Sequence, residues 1–291
     1  VGQWRASESK QEHAWRRKLQ AQADKICEHK LSFFDLVDCE LGDPIDWHKD
    51  HASGIQAPVI AITKIDYRNF DVNGDCKLVW EPNRHHQFVV LGRAYRATGE
   101  ARYAQALLEQ LGSWFEQNPF AKGMNWRSPL ELGIRLINWV WAWDLIRDAA
   151  CFTREIRRRW RHVIYLHCWD ICRKFSRGSS ANNHLVGEAA GVYIACAYFP
   201  WMPIAVKWRA QSKKIVEAEI QAQTYADGCT REQALGYQFF VLQFYILCGL
   251  LGRKLEDDYS KAYWGKIESM LEFVAALAEG GTLPMFGDRD D

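Results

Sequence analysis

Apolar residues recur along most of this chain at helical spacing, and where they do not, Gly, Pro and Asp punctuate it. Residues 9–30 (SKQEHAWRRKLQAQADKICEHK) have the pattern of a charged, amphipathic surface helix. From there to about residue 80 the sequence is irregular, with short strand-like pieces such as 77–80. Beyond it the periodicity predicts helices at about 84–98, 100–117, 128–148, 153–176, 183–198, 203–224, 231–252 and 257–279. The breakers between them are Thr98-Gly99, Asn118-Pro119, Gly178, Pro200 with Pro203, Asp227-Gly228 and Gly252.

These helices are of two kinds. In 100–117, Ala104, Leu107, Leu108, Leu111 and Phe115 make one apolar face, with Arg102, Gln105 and Glu109 turned away from it. By contrast, 185–198 and 239–251 are apolar nearly all round, which implies burial on most sides. Short loops make successive helices antiparallel, and the more apolar or Trp-rich members alternate with the others. The expected fold is therefore all-α, with antiparallel helical hairpins in two layers and an irregular N-terminal segment.

If the hairpins alternate up and down, all the inner helices begin at one end. Those four beginnings carry Trp80-Glu81-Pro82-Asn83-Arg84-His85-His86, Asn125-Trp126-Arg127-Ser128-Pro129, Asn182-Asn183-His184, and Thr230-Arg231-Glu232-Gln233 with Tyr237 slightly inside. Taken singly, each residue has a structural explanation: Arg84 and Arg127 as ion-paired surface groups, Asn182 as a helix cap, His184 as a satisfied histidine and Tyr237 as core. Caps do not account for the recurrence of Arg, His and Trp.

Charge and composition narrow the partner. Lys plus Arg (37) nearly balances Asp plus Glu (36), so no bulk field points to nucleic acid, and an anionic ligand must be recognised locally. Helix N-termini supply partial positive charge and amide donors, and Arg with Trp suits an acidic sugar. The expected partner is an anionic polysaccharide or oligosaccharide. Fourteen Trp, eleven Tyr and fourteen Phe could line such a groove, although most are expected in the core. Nine cysteines without a CxxC pair read as free thiols, and His167, Cys168 and Cys172 read as core rather than a metal cluster, so no metal or cofactor is expected. No membrane span and no signal peptide is visible, although the chain starts at Val1 and a leader could have been removed.

Five stretches carry a family resemblance: GDCKLVWEPNRHHQFVVLGRAYRATGEARYA (74–104), NWRSPLELGIRLINWVWAWDLI (125–146), SSANNHLVGEAAG (179–191), DGCTREQALGYQFFVL (227–242) and LPMFGDRDD (283–291). Together they resemble the heparinase II/III-like polysaccharide lyases, which are related also to oligoalginate lyases. The resemblance implies an incomplete (α/α) toroid over 81–291, with 1–80 packed on it. A C-terminal β-sandwich, absent from this chain, would complete the cleft in the full protein. It also implies a periplasmic or secreted setting, against which the nine cysteines point to a reducing one.

The implied activity is β-elimination on a uronic-acid-containing glycan. By resemblance, Asn183 neutralises the uronate carboxylate, His184 serves as base or binder, and Tyr237 removes the C5 proton or acts as combined base and acid at O4. The chemistry is coherent, because a preorganised amide donor stabilises the enolate-like charge that develops. A tyrosine of ordinary pKa near about 10 needs positive neighbours such as Arg127, Arg135 or His184 to act as a base. Substrate-binding candidates are Asn83, Arg84, Asn125, Trp126, Arg127, Arg135, Glu188, Glu232 and Gln233. Gln238 stands where many relatives carry His, and Ala234 where a Ser is common; both departures are expected to alter substrate contacts. Two other readings remain open: an α/α-toroid glycoside hydrolase drawing its two carboxylates from Glu81, Glu188 and Glu232, and a non-catalytic glycan-binding or scaffold domain.

Overall fold

A computed structural model describes residues 10–287. In chain order the helices are α1 (Lys10–Cys27), α2 (Phe70–Asn73), α3 (Cys76–Asn83), α4 (His86–Thr98), α5 (Ala101–Gln117), α6 (Pro129–Leu145), α7 (Arg154–Lys174), α8 (Asn183–Tyr198), α9 (Ala205–Gln223), α10 (Leu235–Lys254) and α11 (Lys261–Ala278). Among the described residues the sheet is one antiparallel hairpin of β1 (Lys30–Phe33) and β2 (Leu36–Glu40). The chain divides into two compact units, one running to Arg127 and including Asn138–Trp160, the other comprising Ser128–Ile137 and the chain from Arg161 onward. All nine cysteines are free.

Most helices fall where the periodicity puts them, with two informative differences. Residues 77–80, expected as strand-like, lie inside α3, because the Asp75 carboxylate caps that helix by accepting the Lys77 N–H at 2.9 Å. The last strongly apolar helix begins at Leu235 rather than 231. Gln233 adopts a left-handed backbone (φ 52°), so Glu232 and Gln233 sit on a loop in front of the helix.

In the first unit the core is built around tryptophan. Trp47, Trp114, Trp139 and Trp160 are fully buried with His85 and Phe88. Indole N–H groups cannot be buried unpaired without cost, and acceptors are supplied for Trp47, Trp114 and Trp139, although not for Trp160. Trp114 Nε1 donates to Asn83 Oδ1 at 2.7 Å, and Trp139 Nε1 donates to His85 Nδ1 at 2.8 Å. His85 stacks on Phe88 with centroids 4.2 Å apart.

In the second unit, α8 is buried from Leu185 to Cys196 without a break. It has no polar face to offer solvent, and it packs on α9, on α10 and on the first part of α6. The approach to α6 is close because neither helix carries a side chain there. A Cβ on Gly133 would lie 2.5 Å from the Gly187 carbonyl oxygen, and one on Gly191 would lie 2.5 Å from Gly133 Cα. Helix α10 is, by length and composition alone, long and apolar enough to cross a membrane (mean hydropathy 1.5 over an 18-residue window), yet half of that window is buried in the unit. It reads as a core helix, packed on α8 and α11.

The glycine contact gives a paired prediction. Gly191→Ala must push two backbones apart and is expected to cost about 2–3 kcal/mol. Gly112→Ala, in α5 with open space around its Cβ position, is expected to stabilise by up to about 1 kcal/mol. Urea unfolding of the purified chain measures both.

Candidate functional site

The second unit brings the third and fourth helix starts together. Asn182 is the N-cap of α8, its side-chain oxygen accepting the His184 N–H at 3.1 Å. Asn183 follows as the first helical residue and is almost wholly buried, with His184 half-buried beside it. Its backbone N–H donates to Glu232 Oε1 at 3.0 Å, and its side-chain Nδ2 donates to Glu232 Oε2 at 2.7 Å. Both carboxylate oxygens of Glu232 are thus engaged at the start of α8, where the helix dipole favours negative charge.

The loop that delivers Glu232 is braced from several sides. Thr224 and Thr230 form an isolated antiparallel bridge, and the Arg231 N–H donates to the Gln223 carbonyl at 2.8 Å. Gln238 Oε1 accepts the Thr230 N–H at 2.8 Å, and its Nε2 donates to the Gly228 carbonyl at 3.0 Å. Gln238 and Ala234 are both buried, so the positions expected to alter substrate contacts instead hold the loop and the helix start. The C-terminal segment closes the start of α10: the Leu235 N–H donates to the Phe286 carbonyl at 3.1 Å. Gly287 (φ +80°) then approaches Ala234 so closely that a Cβ would lie 2.5 Å from its Cα. The last four residues of the 283–291 motif lie outside the described residues. Tyr237, in the first turn of α10, is half-buried, and Gln233 is exposed.

Two further candidates of this unit lie inside it. Arg135 is fully buried, its Nη1 donating to His167 Nε2 at 3.1 Å, while His167 Nδ1 donates to the Val163 carbonyl at 2.8 Å. Burial first, then the Arg135 cation, hold His167 well below its ordinary pKa, so it is neutral. The structure thus places Arg135, expected at the substrate, in the interior beside His167. Glu188, expected at the substrate, is also fully buried; it accepts the Ser176 N–H at 2.8 Å and the Ser176 hydroxyl at 2.6 Å.

In the first unit Asn83, which precedes α4, and Asn125, in the turn before Arg127, meet on one carbonyl. Asn83 Nδ2 and Asn125 Nδ2 both donate to the Trp47 carbonyl, at 3.0 and 2.9 Å. Both asparagines are buried, and so is Trp126, whose indole N–H donates to the Asn118 carbonyl. These three were expected to touch substrate; the structure places them in the interior, with both Nδ2 groups and the Trp126 indole N–H donating to backbone or side-chain acceptors there. Arg84 pairs with Glu81 at 2.7 Å and remains partly accessible. The Arg127 guanidinium lies 5.1 Å from the Tyr67 ring centroid, and Tyr67 lies 6.2 Å from Trp80. The pattern reading did not single out Tyr67, because it sits in the irregular segment where no periodicity marks a face.

The Glu188 carboxyl has a consequence for stability. Burial raises its pKa from 4.5 to about 7, against the lowering effect of the two bonds from Ser176. Between those values the folded chain holds a proton that the unfolded chain has lost, so its contribution to stability is fully present at low pH and is lost as pH rises through 7. Glu188→Gln can keep both contacts to Ser176 without a charge. Melts at about pH 5 and about pH 8 are expected to show the unsubstituted chain losing about 1–3 kcal/mol more than the variant across that interval.

Residues 5–291 match the family model described as Heparinase II/III N-terminus. A heparin-sulfate lyase of Bacteroides stercoris is 28% identical over an alignment of 250 residues that covers 77% of this chain and 36% of that protein. One from Bacteroides thetaiotaomicron is 26% identical over an alignment of 219 residues that covers 71% of this chain and 31% of that protein. The chain thus spans about a third of the length of these relatives. Among solved structures, a heparan sulfate lyase of Pedobacter heparinus superposes with a TM-score of 0.68 at 19% identity, covering 99% of this chain and 41% of that one. An alginate lyase of Bacteroides ovatus superposes with a TM-score of 0.60 at 14% identity, covering 97% of this chain and 82% of that one. The likeness shows the fold class, the (α/α) toroid. With a family match over nearly its whole length, the chain belongs to the heparinase II/III N-terminus family.

Proposed function

We propose that this chain is the toroid domain of a polysaccharide lyase that cleaves a uronic-acid-containing anionic glycan by β-elimination. The observation that carries the reading is the junction of two helix starts at Asn183 and Glu232, with His184 beside Asn183 and Tyr237 one turn into α10. Asn183 takes the uronate carboxylate and withdraws charge from the carbon acid, making the C5 proton removable. Tyr237 removes that proton and returns one to the departing O4, with His184 as its partner or as a second base. The helix N-terminus adds partial positive charge where the enolate-like oxygen develops. The relatives are more than twice as long as this chain; in this reading the remaining acid or base of the cleft belongs to a further domain.

The hydrolase reading needs two carboxylates flanking the bond. Glu188 is buried on Ser176, Glu81 is paired with Arg84, and both oxygens of Glu232 are taken by Asn183. That engagement supports elimination. The relatives named as heparin-sulfate lyases make heparan sulfate the first substrate to offer, and the alginate lyase makes alginate the second.

In the complete protein, Asn183→Ala is expected to lower turnover by about 10²–10³-fold, as loss of an oxyanion-type donor does. Tyr237→Phe is expected to abolish it. The readout is the ultraviolet absorbance of the unsaturated uronate product. Tyr237→Phe that still forms this product would overturn the role given to Tyr237, and saturated ends without a chromophore would overturn elimination.

A further inference from the structure

We infer that Glu232 is the positioning residue for Asn183, gripping its backbone and its amide together so that one Nδ2 hydrogen stays free for a substrate carboxylate. What the amide binds rests on the lyase reading above; how the amide is held does not.

A primary amide has two ends of nearly equal shape, and turning it over exchanges a donor for an acceptor. An Asn183 turned the wrong way would present Oδ1 to an anionic sugar and repel it. An ionised carboxylate removes that ambiguity because it can only accept. Glu232 accepts from Nδ2 at 2.7 Å, so the nitrogen side is fixed, and it accepts from the backbone N–H of the same residue at 3.0 Å, so the side chain is referenced to its own main chain. Charge-assisted bonds of this kind are shorter and about twice as strong as neutral ones. One Nδ2 hydrogen is consumed and a second remains.

The same geometry tells against a direct substrate role for Glu232. A free carboxylate beside a polyanion would oppose binding, whereas here both oxygens are turned to the start of α8. The two sides of the grip are also fixed to a common support. Gln223, at the end of α9, gives one Nε2 hydrogen to Glu219 at 2.7 Å and shares the other between the carbonyls of Ala181 (3.3 Å) and Asn182 (3.2 Å), immediately before Asn183. Its own carbonyl accepts the Arg231 N–H, immediately before Glu232, at 2.8 Å. One residue thus sets the spacing of both partners, and Gln238 secures the loop behind Glu232 through Thr230.

The test is a double-mutant cycle in the complete protein, with a spectroscopic readout in the 291-residue chain. Glu232→Ala is expected to lower kcat by about 10–100-fold with little change in KM, the usual size of effect for a misplaced catalytic group. Asn183→Ala with Glu232→Ala should be no slower than Asn183→Ala alone, within about two-fold, because a positioning residue has nothing left to position. Glu232→Gln can accept from only one of the two donors and should fall between; it carries the test if Glu232→Ala fails to fold by circular dichroism. In nitrogen-15 spectra the Asn183 side-chain amide should show one proton shifted far downfield by the Glu232 carboxylate and protected from exchange with water, and both features should be lost in the Glu232 variants. Additive losses in the cycle, or an Asn183 amide unchanged without the carboxylate, would overturn the inference. If the complete protein forms no unsaturated product from heparan sulfate or alginate, the lyase reading fails and the amide spectrum decides the grip alone.

Discussion

A buried helix start leaves backbone N–H groups without partners, and this protein satisfies them with groups delivered from far along the chain. Glu232 comes to Asn183 at the start of α8, and the Phe286 carbonyl comes to Leu235 at the start of α10. Because each partner is distant in sequence, a helix start becomes a junction between segments. The junction concentrates donors, carboxylate and dipole in one place, which is what an anion-handling site requires. In the lyase reading proposed above, the polar residues that satisfy the fold and those that serve the chemistry are then neighbours and partly the same atoms.

This overlap explains what the sequence made legible and what it did not. Periodicity and breakers located α8 at its observed limits, 183–198, because an all-round apolar run closed by Asn on one side and Pro on the other admits few other structures. They misjudged 77–80, where four residues of mixed apolar character fit a strand as well as a helix and the Asp75 cap decides. They also ran the last apolar helix back through Gln233, because a left-handed residue other than glycine leaves little trace in composition. At the site, residue type announced that a polar group needs a partner without saying whether the partner is ligand or protein. Asn83, Asn125, Arg135 and Glu188 find theirs inside. Gln223 and Ser176 were invisible for the complementary reason, since their importance lies in partners that sequence spacing does not bring near.

The aromatic load divides along similar lines. In the first unit most of it is core, and the acceptors that make indole burial tolerable, Asn83 and His85, come from the very motif that resembles the lyases. Asn83 accepts from Trp114 and donates to the Trp47 carbonyl, so it ties the Trp core to the start of α4. Tyr67, Trp80 and Arg127 remain nearer the surface, with the Arg127 cation over the Tyr67 ring.

Helix α10 combines a hydropathy that suits a bilayer with a position inside a helical unit. During synthesis such a segment leaves the ribosome before its last partner exists, since α8 and α9 precede it but α11 follows. The order of the chain therefore sets a safeguard: the buried glycine-lined α8 is already waiting when α10 emerges, and covers one side of a segment that would otherwise enter lipid or adhere to its like. The remaining side is covered by α11, which the chain supplies after it.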